Sequence, residues 1–139
     1  MAALLVPELY VSNLRASLRF YQGLIGFDLV YERPEERFAY LGLGGAEIML
    51  EEPVGRSWLL GKLDHPFGRG VNLQIAVSGV DALHEKCAAA NVPVFLAPET
   101  KQYRRKADEI AVRQFIVQDP DGYLLRFSEP TAQRSGDPA

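Results

Sequence analysis

The sequence contains an internal duplication, which constrains the fold more than any single residue does. Glu8–Leu14 reads Glu-Leu-Tyr-Val-Ser-Asn-Leu, and Gln74–Val80 reads Gln-Ile-Ala-Val-Ser-Gly-Val, with apolar and polar positions in the same order. Each copy later reaches a strand pattern followed by Glu-Pro, at Gly45–Pro53 and at Gly122–Pro130. Such self-similarity predicts two copies of one supersecondary unit. We expect a functional site in a cleft that the two copies share.

Hydrophobic periodicity predicts the order β-α-β-β-β within each copy. The predicted strands are Leu4–Val11, Phe27–Arg33, Arg37–Gly42 and Ala46–Glu52 in the first copy, and Asn72–Ser78, Val92–Leu96, Glu109–Gln118 and Tyr123–Ser128 in the second. Apolar residues at helical spacing predict a helix that ends at Gly26, and a second one from Val80 to Ala90. The charged stretch Pro98–Asp108 is predicted to be an irregular loop.

The predicted fold class is therefore α+β, with two tandem βαβββ modules that form a curved mixed sheet around a cleft. A single domain is expected over 1–139, consisting of a module at 4–52, a linker at 53–70, a module at 71–129 and a frayed tail at 130–139. The linker is long for a connection and carries Trp58, the only tryptophan. Long connections of this kind often serve as lids or binding segments, although Trp58 packed against the core is an equally open interpretation.

Composition excludes several classes of partner. The formal net charge is −3, so there is no basic surface that would favour a nucleic acid. One cysteine, Cys87, cannot form a disulfide within the chain, which is typical of a reducing compartment. Apolar runs stay well below the length that spans a membrane, and the N-terminus does not resemble a signal peptide. We expect a soluble, cytoplasmic protein without a nucleic-acid or membrane partner.

Two further motifs carry a family resemblance. Val117–Phe127 contains an Asp-Pro-Asp-Gly turn followed by a strand, and the Leu14–Tyr21 helix precedes Gly26 and Phe27. Together with the duplicated plan, they make residues 4–129 resemble the vicinal oxygen chelate superfamily. That superfamily includes glyoxalase I, extradiol dioxygenases, fosfomycin-resistance enzymes and bleomycin-resistance proteins. Both motifs belong to the scaffold, so they indicate the fold more strongly than the chemistry.

The resemblance also implies where a metal would be bound. Metal-dependent members use four His, Glu or Gln ligands, and the matching positions here are Val6, Met49, Asn72 and Arg126. Val6 and Met49 do not suit a hard or borderline divalent metal, and Asn72 is a poor ligand. Arg126 places a fixed positive charge where the cation would lie. The sequence therefore predicts no metal and no other cofactor.

Without metal ligands, the chain is most similar to the bleomycin-resistance branch. This likeness implies a homodimer that exchanges its N-terminal strand and sequesters an antibiotic at the subunit interface. It implies binding without catalysis, so no catalytic residue is assigned. Bleomycin is cationic and carries flat heteroaromatic rings, and such a ligand requires aromatic faces and carboxylates. Pro7 suits an edge-like first strand that could be exchanged.

The residues predicted to contact the small molecule lie on strands and in loops of both modules. They are Phe38, Tyr40, Met49, Glu51, Trp58, Asn72, Tyr103, Phe115 and Arg126. Ordinary core packing is an equally good interpretation for Phe38, Tyr40 and Phe115. Arg126 leaves a second possibility open, because an arginine without an acidic partner would favour an anionic ligand.

The alternative function is an enzyme, either a lyase, an isomerase or a dioxygenase. Side chains two residues apart on a strand share a face, so Glu8, Glu51 and Gln74 could hold a displaced metal. Glu51 could also act as a general base without a metal.

Overall fold

The computed structural model describes residues 3–131, and these form two compact units. The first unit extends to Phe67 and also takes in Asp119–Gly122. The second unit comprises Gly68–Gln118 and continues from Tyr123. The predicted frayed tail lies outside the described residues from position 132 onward, and Pro130 itself still belongs to the last strand.

The first unit is built on a four-stranded mixed sheet. Its elements are β1 (Glu8–Tyr10), α1 (Leu14–Leu18) continued by a π-helical stretch (Arg19–Ile25), β2 (Asp28–Arg33), a 3₁₀ turn (Pro34–Glu36), β3 (Phe38–Leu43) and β4 (Ala46–Glu51). The strand order is β1-β4-β3-β2. β1 pairs with β4 in parallel, and the other pairs are antiparallel.

The second unit repeats this plan. Its elements are β5 (Asn72–Ala76), α2 (Val80–Ala89), β6 (Val94–Arg105), β7 (Asp108–Gln118) and β8 (Leu124–Pro130). The strand order is β5-β8-β7-β6, with the parallel pair again between the first and last strands. The α+β class and the two βαβββ modules predicted from the sequence are thus confirmed.

Each sheet buries one face under its helix, because side chains alternate between faces along a strand. On the first sheet, Leu9, Ile48 and Leu50 are buried. On the second, Phe115 and Phe127 are fully buried, and His84 of α2 meets the Phe115 ring edge-on. Each such side chain contributes about 1.5–3 kcal/mol of hydrophobic stabilisation.

The opposite sides of the sheets are left without a helix. The first open face carries Glu8, Tyr10, Phe38, Tyr40, Met49 and Glu51, and the second open face carries Gln74, Glu99, Tyr103, Gln114, Ile116, Arg126 and Ser128. These two faces hold most of the residues that the sequence singled out.

The repeated Glu-Pro motif has the same role in both units. Glu52, just after β4, accepts a hydrogen bond from the backbone N–H of Leu14 at 2.8 Å. Glu129, near the end of β8, accepts from the N–H groups of Gly79 and Val80 at 3.1 and 2.7 Å. Helix N-termini leave such N–H groups unpaired and attract negative charge. Each glutamate therefore ties the start of its unit's helix to the end of its last strand.

The Asp-Pro-Asp-Gly turn connects β7 to β8, yet it is bonded into the first unit. Asp121 accepts hydrogen bonds from the backbone N–H and the hydroxyl of Ser12 at 3.0 and 2.5 Å. Tyr21 donates its hydroxyl proton to Asp119 at 2.6 Å. Both aspartates are buried, so these bonds satisfy carboxylates that would otherwise be destabilising.

The helix and the strand of the first βα unit differ from the prediction. β1 covers only Glu8–Tyr10, whereas a strand from Leu4 was expected, and both Leu4 and Leu5 are exposed. The helix widens into π-helical geometry from Arg19 to Ile25. Its predicted end is confirmed, because Gly26 adopts φ +105°, where a side chain would be strained. The Gly26 N–H donates to the Tyr21 carbonyl, which closes the wide turn.

The largest difference concerns the stretch predicted as an irregular loop at Pro98–Asp108. These residues form the second half of the twelve-residue β6 and its hairpin with β7. β6 lies at the sheet edge, where charged side chains and proline are tolerated. The ladder shifts register between Leu96 and Glu99, which accommodates the proline. Tyr103 therefore lies on a strand and not in a loop.

Residues 53–70 contain no helix or strand, as expected for a connecting segment. The segment is tied down at its end, where the Phe67 N–H donates to the Asp121 carbonyl at 2.8 Å. No helix within residues 3–131 is long and apolar enough to cross a membrane.

Candidate functional site

Strand register brings the side chains of the first open face together. Glu8 pairs with Met49, and Tyr10 pairs with Glu51, across the parallel β1–β4 ladder. On the other side of β4, Met49 pairs with Tyr40 and Glu51 pairs with Phe38. Directly paired side chains lie about 4.5–5.5 Å apart at Cβ, so the carboxylates, the thioether and the aromatic rings form one continuous surface.

Three aromatic rings form a shelf on β2 and β3. The rings of Tyr31 and Tyr40 stack with centroids 5.0 Å apart and an interplanar angle of 16°. Tyr31 also lies 5.9 Å from Phe38. The guanidinium of Arg33 lies over Phe38 at 3.9 Å and is paired with Glu36 at 2.5 Å. Phe38 and Tyr40 are largely buried under these neighbours, whereas Tyr31 is exposed and offers a free ring surface.

Two carboxylates share the centre of this face. Burial raises the pKa of the Glu51 carboxyl, and the negative charges of Glu8 and Glu36 raise that pKa further. A hydrogen bond with Glu8 acts in the same direction, while Arg33 opposes it. A nearby positive charge would stabilise the ionised form of such a carboxyl group. The Glu8–Glu51 pair is thus arranged to favour a cation.

The connecting segment adds an indole to the same surface. The backbone N–H of Trp58 donates to the Tyr10 hydroxyl at 2.8 Å, and the Trp58 side chain is 72% exposed. The Arg56 guanidinium lies 5.2 Å from the indole centroid. Together these residues border a groove of about 750 Å³, which we call the first-sheet groove. Its lining includes Glu8, Tyr10, Tyr31, Arg33, Phe38, Met49, Glu51 and Trp58.

A second, smaller cavity of about 410 Å³ shares Tyr31 with the first-sheet groove. It is lined by Asp28, Tyr31, Tyr40 and Glu47, among others. Tyr40 donates its hydroxyl proton to Glu47 at 2.5 Å. This bond, with a contribution from burial, raises the pKa of Tyr40 to about 12. The same bond lowers the pKa of Glu47, although burial opposes that shift. Glu47 therefore stays ionised.

On the second open face the polar groups are mainly amides and a guanidinium. Arg126 donates to the side-chain oxygen of Gln74, and Gln74 donates in turn to the Ser128 hydroxyl at 3.1 Å. Gln114 donates to Glu99 at 2.9 Å and to the Tyr103 hydroxyl at 2.6 Å. This face has one aromatic ring, Tyr103, among the members named above.

Sequence comparison identifies the family. The family model described as "Glyoxalase/Bleomycin resistance protein/Dioxygenase superfamily" matches residues 3–127. The chain belongs to this superfamily.

Relatives within the superfamily have different activities. The chain is 31% identical to a lactoylglutathione lyase from Haemophilus influenzae, over 92% of this chain and 93% of the relative. It is 30% identical to a bleomycin resistance protein from Geobacillus stearothermophilus, over 88% and 92%. The solved structure of TioX from Micromonospora sp. ML1 superimposes with a TM-score of 0.72 at 21% identity, covering 94% of this chain and 100% of TioX. The last likeness concerns the fold alone.

The residues at the positions that the resemblance assigns to metal ligands do not fit a metal. Met49 presents a thioether next to Glu8, and Arg126 is hydrogen-bonded to Gln74. A thioether is a soft ligand, and a guanidinium cannot donate an electron pair. Within residues 3–131, no group of three or more His, Cys, Asp or Glu side chains is arranged to hold a metal ion.

The residues singled out from the sequence lie in four locations. Phe38, Met49, Glu51 and Trp58 line the first-sheet groove, and Tyr40 lines the adjacent cavity. Tyr103, Arg126 and the exposed Asn72 belong to the second sheet. Phe115 is fully buried against His84 and Phe127, on the side of the sheet that faces α2. A ligand cannot reach it there, so Phe115 is left out of the site proposed below.

Tyr31 and Arg33 line the groove but were not singled out from the sequence. Simple alternation along β2 fails because the ladder with β3 shifts register between Leu29 and Tyr31. The only sequence signal was the pair of bulky side chains, Tyr31 and Arg33, two residues apart on a strand. That spacing alone does not separate a ligand shelf from a solvated strand.

Proposed function

We propose that the protein binds a cationic, aromatic small molecule of the bleomycin type in the first-sheet groove. It acts by sequestration, without a metal and without breaking a bond of its ligand. The observation that carries this proposal is the combination of the Glu8–Glu51 carboxylate pair with aromatic side chains in one groove of about 750 Å³. A groove of this size matches the range in which small-molecule sites usually fall.

The charges of the groove favour a cation. Its lining includes four carboxylates and two guanidinium groups, namely Glu8, Glu35, Glu36, Glu51, Arg33 and Arg56. Arg33 is already paired with Glu36, so its charge is largely compensated. A bound ammonium or guanidinium group would relieve the repulsion between Glu8 and Glu51.

The aromatic groups favour a flat ligand. Tyr31 is exposed on one side of the groove, and the Trp58 indole is exposed on the connecting segment. The hydrogen bond from the Trp58 backbone N–H to Tyr10 already holds this part of the connecting segment in place. The indole can therefore cover a ligand at a smaller cost in conformational entropy. Stacked aromatic pairs add about 0.5–1.5 kcal/mol each beyond the area they bury.

We further propose that the functional form is a cytoplasmic homodimer that exchanges its N-terminal strand and places the site at the subunit interface. The adjacent side chains of Leu4 and Leu5 are largely exposed, and a partner chain that covered them would remove this apolar surface from water. The similarity to bleomycin resistance proteins supports the same assembly. Each chain is proposed to be one domain, with residues 53–70 as its linker.

Tryptophan fluorescence tests the proposal directly, because Trp58 is the only tryptophan. Titration of the metal-stripped protein with copper-free bleomycin should change its emission saturably, close to one drug per chain. Tyr31→Ala should weaken binding by about 1 kcal/mol through loss of stacking. Phe95→Ala, which removes an exposed aromatic ring from the second sheet, is the matched control and should bind normally. Unchanged emission together with no uptake in equilibrium dialysis would refute the proposal.

The alternative function is a lyase, an isomerase or a dioxygenase. The lactoylglutathione lyase relative and the raised pKa of Glu51 favour it, since such a carboxyl group suits general acid–base chemistry. A displaced metal on Glu8, Glu51 and Gln74 is less well supported, because the Gln74 oxygen already accepts a hydrogen bond from Arg126. Lactoylglutathione turnover by wild type, lost in Glu51→Gln, would establish the enzyme. Stoichiometric metal that survives gel filtration and is lost in Glu8→Ala would establish the displaced site.

A further inference from the structure

Arg126 lies on the second open face without an acidic partner. It pairs with Ile116 on one side and with Gln74 on the other, in the middle of the sheet. Within residues 3–131, its one hydrogen-bond acceptor is the neutral side-chain oxygen of Gln74, and no carboxylate forms an ion pair with it. Its Nε–H is buried and unpaired in the same part of the chain.

A second unsatisfied group lies beside this guanidinium. Gln114 is only 3% exposed, and its side-chain oxygen has no hydrogen-bond partner among the described residues. Gln114 pairs with Ser128, two residues along β8 from Arg126, so Gln114 and Arg126 are diagonal neighbours about 7–8 Å apart. Buried polar groups without partners are rare in folded proteins and require an explanation. A buried donor and a buried acceptor on the same open face, both without a partner among the described residues, point to a missing polar group.

The neighbouring side chains hold these two groups in place. Gln74 is fixed by its bond to Ser128, and it orients the guanidinium through its oxygen. The amide nitrogen of Gln114 is fixed by Glu99 and Tyr103, so its oxygen keeps its direction. Lys101 lies over the Tyr103 ring at 5.6 Å and adds a second positive charge on this side of β6.

We propose that Arg126 anchors an anion-binding site on the second open face. The site takes the oxyanion of a small molecule, a carboxylate or a phosphate, and the Gln114 oxygen accepts a hydrogen bond from an adjacent hydroxyl or N–H group of the same ligand. A planar guanidinium with free N–H groups binds such oxyanions in a fork geometry. This inference concerns the other sheet and does not depend on a cation binding in the first-sheet groove.

Nuclear magnetic resonance of the full chain tests the site through the signal of the Arg126 Nε–H group. The Arg126 Nε–H resonance, assigned by its loss in Arg126→Lys, should shift saturably when benzoate or inorganic phosphate is added at constant ionic strength. A shift with benzoate alone identifies a carboxylate site, and a shift with phosphate alone identifies a phosphate site. If neither probe shifts the resonance, the proposal is overturned.

Matched variants distinguish anion binding at Arg126 from a nonspecific effect of positive charge. Arg126→Gln should weaken anion binding by about tenfold or more, because a charge-assisted bidentate contact is lost. Arg104→Gln removes an equal charge from the opposite face of the same sheet and should leave binding unchanged. Equal weakening in both variants would overturn the proposal.

Two further variants keep the test decisive. Gln74→Glu keeps Arg126 but gives it an internal acidic partner that competes with the anion, so it should also weaken anion binding, even if Arg126→Gln fails to fold. Retained binding in a folded Gln74→Glu variant would contradict the site. Glu109→Gln, which removes an exposed charge from β7 of the same sheet, should leave anion binding intact.

Discussion

The first and second sheets have the same strand order, but their open faces carry opposite chemistry. Glu8 and Met49 pair across the parallel strands of the first sheet, and the corresponding pair in the second is Gln74 and Arg126. Two residues further along the same strands, Tyr10 pairs with Glu51 in the first sheet, and Ala76 pairs with Ser128 in the second. The first face is acidic and aromatic, whereas the second combines amides with a guanidinium.

The buried side of each sheet has been far less free to change. Leu9 corresponds to Ile75, and Leu50 corresponds to Phe127, and all four side chains are buried. These positions must stay apolar because each helix packs on them. Both copies therefore keep an apolar core and a glutamate at the start of the helix, while their two open faces carry different side chains.

The largest expected effect concerns the turn that the first unit takes from the second half of the chain. Asp121→Ala removes the acceptor for both Ser12 donors in a buried position and should lower the free energy of unfolding by about 2–4 kcal/mol. Urea denaturation measures this change. The control is Asp108→Ala, which breaks an exposed ion pair with Arg105 in the β6–β7 hairpin and should lower stability by less than about 1 kcal/mol. Equal losses would contradict the special role of the Asp-Pro-Asp-Gly turn.

The next effect compares the acids of the two faces. Glu51→Gln should weaken binding of copper-free bleomycin about tenfold, because a charge-assisted contact becomes a neutral one. Glu99→Gln makes the same change on the second open face and should have no measurable effect on the drug. Isothermal titration calorimetry of both variants decides between them. A larger loss of drug affinity in Glu99→Gln than in Glu51→Gln would show that the cation binds on the second sheet and not in the first-sheet groove.

The helix-capping glutamates test how similar the two units remain. Glu52→Gln and Glu129→Gln should each lower the free energy of unfolding by about 1 kcal/mol, since each removes the charge that caps a helix N-terminus. Thermal and urea denaturation measure both. Glu109→Gln, on an exposed position of β7, is the control. A change confined to one unit would show that the repeated Glu-Pro motif lost its function in the other.

The smallest effect is a dependence on pH. Because the pKa of Glu51 is raised above its ordinary value of 4.5, the protonated form is favoured by folding. This contribution to stability is present at low pH and is lost as the pH rises through the raised pKa. Glu51→Gln should therefore melt at a higher temperature than wild type at pH 7, and the difference should close on acidification. A difference in melting temperature that grows as the pH falls would contradict the raised pKa of Glu51.

The same pKa shift predicts how drug binding responds to acid. Cation binding in the first-sheet groove should decline as the pH falls through the raised pKa of Glu51, earlier than for an ordinary glutamate. Fluorescence titrations at several pH values would follow this decline. Glu51→Gln should remove most of the dependence.

The fold was predictable because the duplication appears directly in the sequence. The failures have local physical causes. β6 was missed over Pro98–Asp108 because a proline and several charged residues usually indicate a loop, but an edge strand accommodates both. The first strand was predicted too long because Leu4 and Leu5 are apolar, although neither is buried within the described chain.

The candidate site was predictable only in part. Phe38, Met49, Glu51 and Trp58 could be placed in the groove from strand alternation and from the position of the connecting segment. Tyr31 could not be placed in the groove from the sequence, because the register shift between β2 and β3 appears only in the folded structure. Phe115 looked equally suitable for core and ligand, and its complete burial against His84 and Phe127 decides for the core.

In the proposed function, the acidic and aromatic face of the first sheet binds a cationic, aromatic molecule without a metal. Isothermal titration calorimetry of the metal-stripped protein with copper-free and copper-loaded bleomycin tests it most directly. We expect saturable binding close to one drug per chain without added metal, and about tenfold weaker binding in Glu51→Gln. No heat of binding up to high micromolar drug, or equal affinity in wild type and Glu51→Gln, would contradict the account.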